Sequence, residues 1–371
     1  MNNFIKSFKN LRGFNKIEGQ YKNIVFFSES NNYSFFFKSL IDSLLDKNIK
    51  ITYVAADNND IFLNYKNHNL KTICISNFFL LQYFFSNIKC NNLILTMPDL
   101  GNGIINKSPF CKKYIYIFHS LISLNVAYKK NSFDNYDIFL SPTKIHTSEI
   151  QDKFGNSKKI IDVGYPKIED LKNKINSNIE SDGILIAPTW GKDSCLYSQN
   201  LIHLIEKLIE KNFQVEFRPH PMSFSKDKKK IDEIVNKYKL FSKFKLNTED
   251  DNIKIFLNSK ILITDWSGSA MEFSLAKEKP SLFINTSQRI RNNTIKKGDK
   301  ILETTFEYLC RDEIGVVLDA NKIENIENII KDFEINKDFY KKKILSFKRK
   351  YFHDNENSLK KSVSKLIELT N

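Results

Sequence analysis

Two histidines and one serine-rich turn carry most of the chemical information in this chain. His119 closes the apolar run YIYIF at residues 114–118 and is followed by Ser120. His220 stands between two prolines in Phe217-Arg218-Pro219-His220-Pro221, at the end of another apolar run. Ser267, Gly268 and Ser269 follow Asp265 and Trp266 at the end of a third, in ILITDWSGSAMEFSLA. An imidazole at a strand end can take a proton from a hydroxyl. A strand that enters a helix through small hydroxyl residues aims free N–H groups and a positive dipole end at one spot, which suits a phosphate or diphosphate. Together these residues suggest an enzyme that holds a nucleotide diphosphate and moves a group from it.

Each of these residues also has a plainer reading. His119 can be a hydrogen-bonded residue closing a core strand. For His220, the flanking prolines hold the backbone extended and fix the ring's direction, and Arg218 projects to the same side, where it can pair with phosphate. The plainer reading is a rigid turn with a capping histidine. Ser269 and Glu272 fit a capping box. That is compatible with serine hydroxyls on a phosphate and Glu272 facing a ribose. Asp265 either anchors the loop or binds a ligand hydroxyl. In Ala187-Pro188-Thr189-Trp190-Gly191, Thr189 and Gly191 would let the backbone approach a ligand and Trp190 would stack on a ring; an ordinary strand-to-helix turn explains them equally well. Glu29, after the first strand, orients an acceptor hydroxyl or caps a helix. Asn102 marks a turn with Gly101 and Gly103.

The elements that must position these groups read as strands and helices in alternation. Strands are expected at 23–28, 49–55, 71–76, 92–97, 114–118, 137–140 and 160–163, then at 183–187, 214–217, 243–246, 261–264, 281–284 and 315–318. Helical patterns fall between them, as at 35–46, 198–211, 231–239 and 253–258. Continuous apolar runs argue for parallel strands covered on both faces. The class is α/β. The polar stretch 167–182 separates two strand series of similar length. The chain therefore divides into a Rossmann-like domain over 1–170, a second over 171–345, and a C-terminal helix at 346–371 that packs back on the first. The candidate residues all sit at carboxyl ends of strands, where open α/β sheets bind ligands.

Composition sets further bounds. The chain has 371 residues, 41% hydrophobic and 13% aromatic, enough for two cored domains. Its net charge of +14 fits a lysine-rich surface, an anionic membrane face or a phosphate-rich substrate, while no nucleic-acid-binding signature is present. Abundant Lys, Asn, Ile and Phe point to base bias in the genome. Five scattered cysteines without a CxxC pair support neither zinc nor a disulfide framework and fit a reducing cytoplasm. No signal peptide or bilayer-length apolar run is found. Phe4, Ile5, Phe8, Leu11 and Phe14, with Lys6, Lys9 and Arg12, form a basic amphipathic helix that packs on the domain or lies on a membrane. GxGxxG, GxxxxGK[ST], HExxH and GxSxG motifs are all missing, so no tightly bound cofactor or metal is expected.

The segments IVFFSESNNYSFFFKSLIDSLL, YIYIFHSL, ILIAPTW, EFRPHP and ILITDWSGSAMEFSLAKEKPSLFI, taken together, resemble the CDP-glycerol glycerophosphotransferase family of teichoic-acid primases and polymerases. The resemblance runs over most of the chain. It implies a GT-B fold and transfer of an alditol phosphate from a CDP-activated donor to a hydroxyl of a cell-surface polysaccharide or lipid-linked acceptor, at the cytoplasmic membrane face. By motif the two family histidines map onto His119 and His220, and the diphosphate-holding loop onto Ser267 and Ser269.

In this reading the C-terminal domain holds the donor with Arg218, Thr189, Trp190, Gly191 and residues 265–272. The N-terminal domain binds the acceptor, with Glu29 and Ser120. Two departures touch the substrates. The family commonly has Gly-Thr after the first histidine, where this chain has Ser120-Leu121, and Ser-Ser after the aromatic, where it has Ser267-Gly268. The chain also shows no large extra helical domain. The alternatives are a GT-B glycosyltransferase using a nucleotide sugar in capsule, lipopolysaccharide or teichoic-acid-type polymer synthesis, and a non-catalytic assembly component.

Overall fold

The computed structural model describes residues 2–102, 105–175, 183–249 and 252–370. Thirteen strands are found among them. β1 (Ile24–Ser28), β2 (Ile51–Ala55), β3 (Leu70–Cys74), β4 (Cys90–Leu95), β5 (Cys111–Ile117), β6 (Ile138–Ser141) and β7 (Lys159–Asp162) form the first sheet. β8 (Gly183–Ile186), β9 (Gln214–Phe217), β10 (Phe244–Leu246), β11 (Ser259–Thr264), β12 (Ser281–Ile284) and β13 (Gly315–Leu318) form the second. Every pairing is parallel. The orders are β3-β2-β1-β4-β5-β6-β7 and β10-β9-β8-β11-β12-β13, so each sheet reverses direction at its first strand. The crevice at that reversal is where such sheets take ligands. All residues of β1, β2, β6 and β12 are buried, as apolar runs covered on both faces must be.

The helices are α1 (Asn2–Lys16), α2 (Asn31–Asp46), α3 (Phe78–Asn87), α4 (Lys144–Phe154), α5 (Pro166–Lys174), α6 (Gln199–Glu210), α7 (Pro221–Lys226), α8 (Lys228–Tyr238), α9 (Asn252–Leu257), α10 (Gly268–Lys277), α11 (Phe306–Ile314), α12 (Ile326–Ile335), α13 (Lys337–Tyr351) and α14 (Ser358–Glu368). α6 shows how the sequence builds them. Ser198 caps its start by accepting from the Asn200 N–H, and Leu201, Leu204, Ile205 and Leu208 bury one face.

The two halves are packed together. α5 lies on α10, and one apolar core runs from Tyr165 and Ile168 to Met271 and Leu275. The chain then returns to the first half. Phe352 bridges to Thr143, and α14 packs on α2 and α5. Glu169 accepts from the Ser358 hydroxyl (2.8 Å) and the Leu359 N–H (3.0 Å) at the start of α14. Gly164, at φ +88°, allows this approach; a Cβ there would lie 2.8 Å from both Asp354 O and Ser358 Cβ. The boundaries expected at 170/171 and 345/346 fall inside α5 and α13. Of the polar stretch 167–182, residues 176–182 lie outside the described residues, as does Gly103 in the turn expected around Asn102. The five cysteines are buried free thiols.

Candidate active site

A cleft of about 580 Å³ opens between the carboxyl edges of the two sheets. Glu29, Ser120 and His119 line it from the first half; Thr189, Trp190, Arg218, His220, Ser267, Gly268, Ser269 and Glu272 line it from the second. Side chains spread over nearly the whole sequence thus meet at one place, because strand ends β1, β5, β8, β9 and β11 all point into it.

His119 sits two residues beyond β5. Its Nδ1 lies 2.9 Å from the Thr96 carbonyl oxygen, which can only accept, so in the neutral ring Nδ1 carries the proton and Nε2 keeps a lone pair. The Tyr128 hydroxyl lies 3.4 Å from that Nε2, and Tyr33 meets the ring edge-on at 5.3 Å. Burial holds the pKa down to about 4, and Lys167 adds to the effect against the Thr96 bond. His119 is therefore a neutral imidazole whose acceptor nitrogen faces the Tyr128 hydroxyl across a long 3.4 Å contact.

His220 has the opposite tautomer. Pro219 and Pro221 fix the backbone extended (ψ 141°), and the ring caps α7, with Nδ1 accepting from the Met222 N–H at 3.1 Å. The neutral ring must then carry its proton on Nε2. Burial, then Arg289, Arg218 and His119, push its pKa to about 4. One ring on the cleft wall accepts; the other donates.

The serine turn differs from expectation in its capping. Ser267, not Ser269, caps α10, accepting from the Ser269 N–H at 3.2 Å. Glu272 does not complete a capping box. Its carboxylate takes Lys167 Nζ at 2.7 Å and the Tyr165 hydroxyl at 3.3 Å, so it ties the two halves together and is engaged before any ribose arrives. Ser267, Gly268 and Ser269 still present the start of a ten-residue helix to the cleft, with its dipole aimed at the gap.

Three expected ligand contacts are corrected. Asp265 is fully buried and accepts from Thr189 N (3.0 Å), Thr189 Oγ1 (2.7 Å), Cys195 N (2.7 Å) and Trp266 N (2.8 Å). It anchors the loop and does not reach the cleft wall. Thr189 lines the cleft, but both of its donors are committed to Asp265, so it has none for a phosphate. Gly191, at φ +88°, makes a turn and donates to Asp227 Oδ2 (2.9 Å); it too is off the wall. Trp190 is on the wall, with the Arg289 guanidinium over its ring at 3.5 Å and Arg291 at 5.5 Å. Arg218 reaches the cleft while donating to the Glu249 carbonyl at 3.1 and 3.3 Å.

The pair Arg289 and Arg291 was missed in the sequence. A signal existed: only six arginines stand among 57 basic residues, and Arg218, Arg289 and Arg291 all line the cleft. In a chain biased to lysine, the arginines mark places that need a planar, permanently charged fork. Tyr128, Asp99 and Lys167 were also missed. Asp99, at φ +65°, accepts from Ser132 Oγ at 2.7 Å and stands on the wall with Glu29. Glu29 is open to the cleft mouth, and the surrounding protein, with Asp99, raises its pKa to about 7.

The loop after His119 is fastened from both halves. Glu307 accepts from the Ser123 N–H and Glu149 from the Leu124 N–H, both at 2.9 Å. The Arg291 N–H donates to Val126 O (2.9 Å). Among the described residues no three His, Cys, Asp or Glu side chains gather as metal ligands, and no helix is long and apolar enough to cross a membrane.

Comparison with known proteins adds a family and a fold. The family model described as CDP-Glycerol:Poly(glycerophosphate) glycerophosphotransferase matches residues 13–369. Among solved structures, the wall teichoic acid polymerase TagF is similar at 16% identity and TM-score 0.59, covering 99% of this chain and 97% of that one. A second structure of that polymerase, soaked with CDPG, gives 15% identity and TM-score 0.57 with the same coverage. The UDP-GlcNAc 2-epimerase from Neisseria meningitidis, bound to UDP-GlcNAc, gives 14% and 0.58, covering 93% and 99%. At such identities the likeness shows the fold, which is GT-B. No curated protein sequence matches the chain.

Proposed function

The chain belongs to the CDP-glycerol:poly(glycerophosphate) glycerophosphotransferase family, and from that premise we propose that His119 and His220 divide the chemistry of glycerol phosphate transfer between them. The protein is a transferase with CDP-glycerol as donor; the reading of it as a non-catalytic assembly component falls with the family assignment.

An acceptor hydroxyl approaches from the first half, oriented by Glu29, Asp99 and Ser120. Its proton passes to His119 Nε2 as its oxygen attacks the phosphorus that bears glycerol. The bond from that phosphorus to the bridging oxygen breaks, and CMP leaves with the electron pair. His220 donates from Nε2 to the phosphate oxygens. Arg218, Arg289, Arg291 and the start of α10 offset their charge, which is where the barrier to phosphoryl transfer is lowered most. The second half holds the nucleotide diphosphate. The acceptor is a hydroxyl of a surface polysaccharide or of a lipid-linked precursor presented at an anionic membrane face.

The observation that carries this reading is that the two imidazoles line one cleft from its two halves, with His119 Nδ1 on the Thr96 carbonyl and His220 Nδ1 on the Met222 N–H, which fixes complementary tautomers. The test is a panel of CDP-alditols and nucleotide sugars with an alditol-phosphate acceptor. CMP release with a gained phosphodiester supports the reading. UDP release from a nucleotide sugar, with hexose gained, would make the chain a glycosyltransferase instead.

A further inference from the structure

The Tyr116 hydroxyl is out of keeping with its surroundings. Tyr116, on β5, is fully buried, with its ring edge-on to Phe118, Phe133 and Tyr136 at 5.1, 4.9 and 5.1 Å. Its oxygen has no hydrogen-bond partner among the described residues, whereas Tyr136 beside it donates to the Met97 carbonyl at 2.6 Å. A buried hydroxyl left unpaired costs stability, and a phenylalanine would fill the same space without that cost.

Tyr128 supplies a reason for it. Its ring also meets Phe133 edge-on, at 5.0 Å, so the two phenols are neighbours around one phenylalanine. Their hydroxyls act on each other without forming a hydrogen bond, and burial raises the pKa of both, so both stay protonated. Tyr128 lines the cleft and stands 3.4 Å from His119 Nε2. Because the Thr96 carbonyl keeps the ring's proton on Nδ1, Tyr128 is the donor in that contact. It occupies the lone pair that an acceptor hydroxyl needs. Freeing that lone pair costs little only where something else accepts the Tyr128 O–H, and the unpaired Tyr116 oxygen can.

We infer that Tyr128 is a positioning residue that switches its O–H from His119 Nε2 in the free protein to the Tyr116 oxygen once an acceptor hydroxyl is bound. No proton leaves either phenol. The acceptor gives its proton to Nε2, and the imidazolium N–H then meets the Tyr128 oxygen with a lone pair turned toward it. One rotation both frees the base and supports its charged form. The inference rests on the reading of His119 as the base. Lys167 from α5, His220 from the second half and Tyr33 from α2 face the same ring, and all three stay in place in the variants below.

The test is Tyr116→Phe, Tyr128→Phe and the double variant in the full chain. CMP release, melting and the ¹⁵N resonances of labelled histidine are followed, with His119→Ala assigning the signal. In Tyr128→Phe the His119 Nε2 resonance should move downfield at neutral pH, as an acceptor nitrogen does on losing its donor. The acid limb of kcat/KM should rise by about half a pH unit, because the neutral ring has lost a hydrogen bond. Tyr116→Phe should melt at or above the parent's midpoint and yet lose about fivefold in kcat, the factor one hydrogen bond is worth. The double variant should be no slower than Tyr128→Phe alone, since the two groups act as one switch. Parent kcat in Tyr116→Phe overturns the inference, and so does a lower midpoint there, which would mean that the hydroxyl is already paired. An unmoved His119 resonance in Tyr128→Phe, or losses that multiply in the double variant, overturns it too. If His119→Ala turns over normally while the resonance still moves, the base assignment falls and takes the switch with it. If His119→Ala is inactive and Tyr116→Phe is unimpaired, the switch alone fails.

Discussion

Ser120 and Gly268 face each other across the cleft, and each explains the other. A Cβ built on Gly268 would lie 2.3 Å from Ser120 Oγ and 3.5 Å from its Cβ. Ser120 and Gly268 are two of the three positions, with Leu121, where the chain departs from the motif it resembles, with serine where glycine is common and glycine where serine is common. The departures therefore compensate. The cleft keeps a hydroxyl beside position 268, but it comes from the loop after His119 rather than from that position of α10.

Gly268→Ser alone should force the Ser120 hydroxyl aside and lower kcat/KM for CMP release by about tenfold, the scale on which small misplacements act. Ser120→Gly should cost less. The double variant should return to within about threefold of the parent, because neighbours that share space are not additive. Losses that simply multiply in the double variant would show that the two positions act independently.

His119→Ala should reduce kcat by about 10²-fold or more. At His220 the informative change is to Asn, which can still cap α7 by accepting from the Met222 N–H but has no donor where Nε2–H stood. His220→Asn should melt like the parent and lose activity on a similar scale. If it turned over normally, His220 would be only a cap. Because His119 is held near pKa 4, the acid limb of kcat/KM should lie well below the ordinary 6.5 and the profile should be level from about pH 5.5 to 6.5.

The strand ends were readable because the apolar runs were continuous and the residues after them unusual. All thirteen expected strands are present within a few residues, and the two histidines lie where the strand-end rule places them. What one sequence could not give was the use of each donor and acceptor. Asp265 and Thr189 read as ligand contacts because they stand at strand ends, yet they bond to each other. Glu272 read as a capping-box acid by its spacing from Ser269, but Lys167, from the far half of the chain, claims it. Those pairings are long-range and leave no local pattern. Arg289 and Arg291 lie on a loop without periodicity, so only their rarity marked them.

Arg289 over Trp190 should form one unit on the donor side. Arg289→Ala should raise the KM for CDP-glycerol by about tenfold, and Arg289→Lys should recover little of it, since an ammonium lacks the planar fork that stacks on the indole while pairing with phosphate. Trp190→Ala should cost no more once Arg289 is gone. Full recovery by Lys would reduce Arg289 to a point charge.

Stability should depend on pH through the carboxyls that fasten the loop after His119. Burial raises Glu149 to about 8 and Glu307 to about 7, against 4.5 unfolded, with Glu307 adding to the shift of Glu149. For a raised acid the folded chain binds the extra proton, so its contribution is fully present below 4.5 and is lost as pH rises through 7 to 8. The buried histidines carry the opposite sign. His119 and His220, at about 4, and His146, at about 3, stay neutral while the unfolded chain protonates at 6.5, so stability falls as pH drops from 6.5 toward 4. Between 4.5 and 6.5 the two sets largely cancel. The melting midpoint should therefore be nearly level there and decline by about 2 °C or more from pH 6.5 to 8.5. Glu149→Gln keeps an acceptor for the Leu124 N–H and removes the titration, so it should flatten that decline. A Gln variant with the parent's slope would place the pH dependence elsewhere.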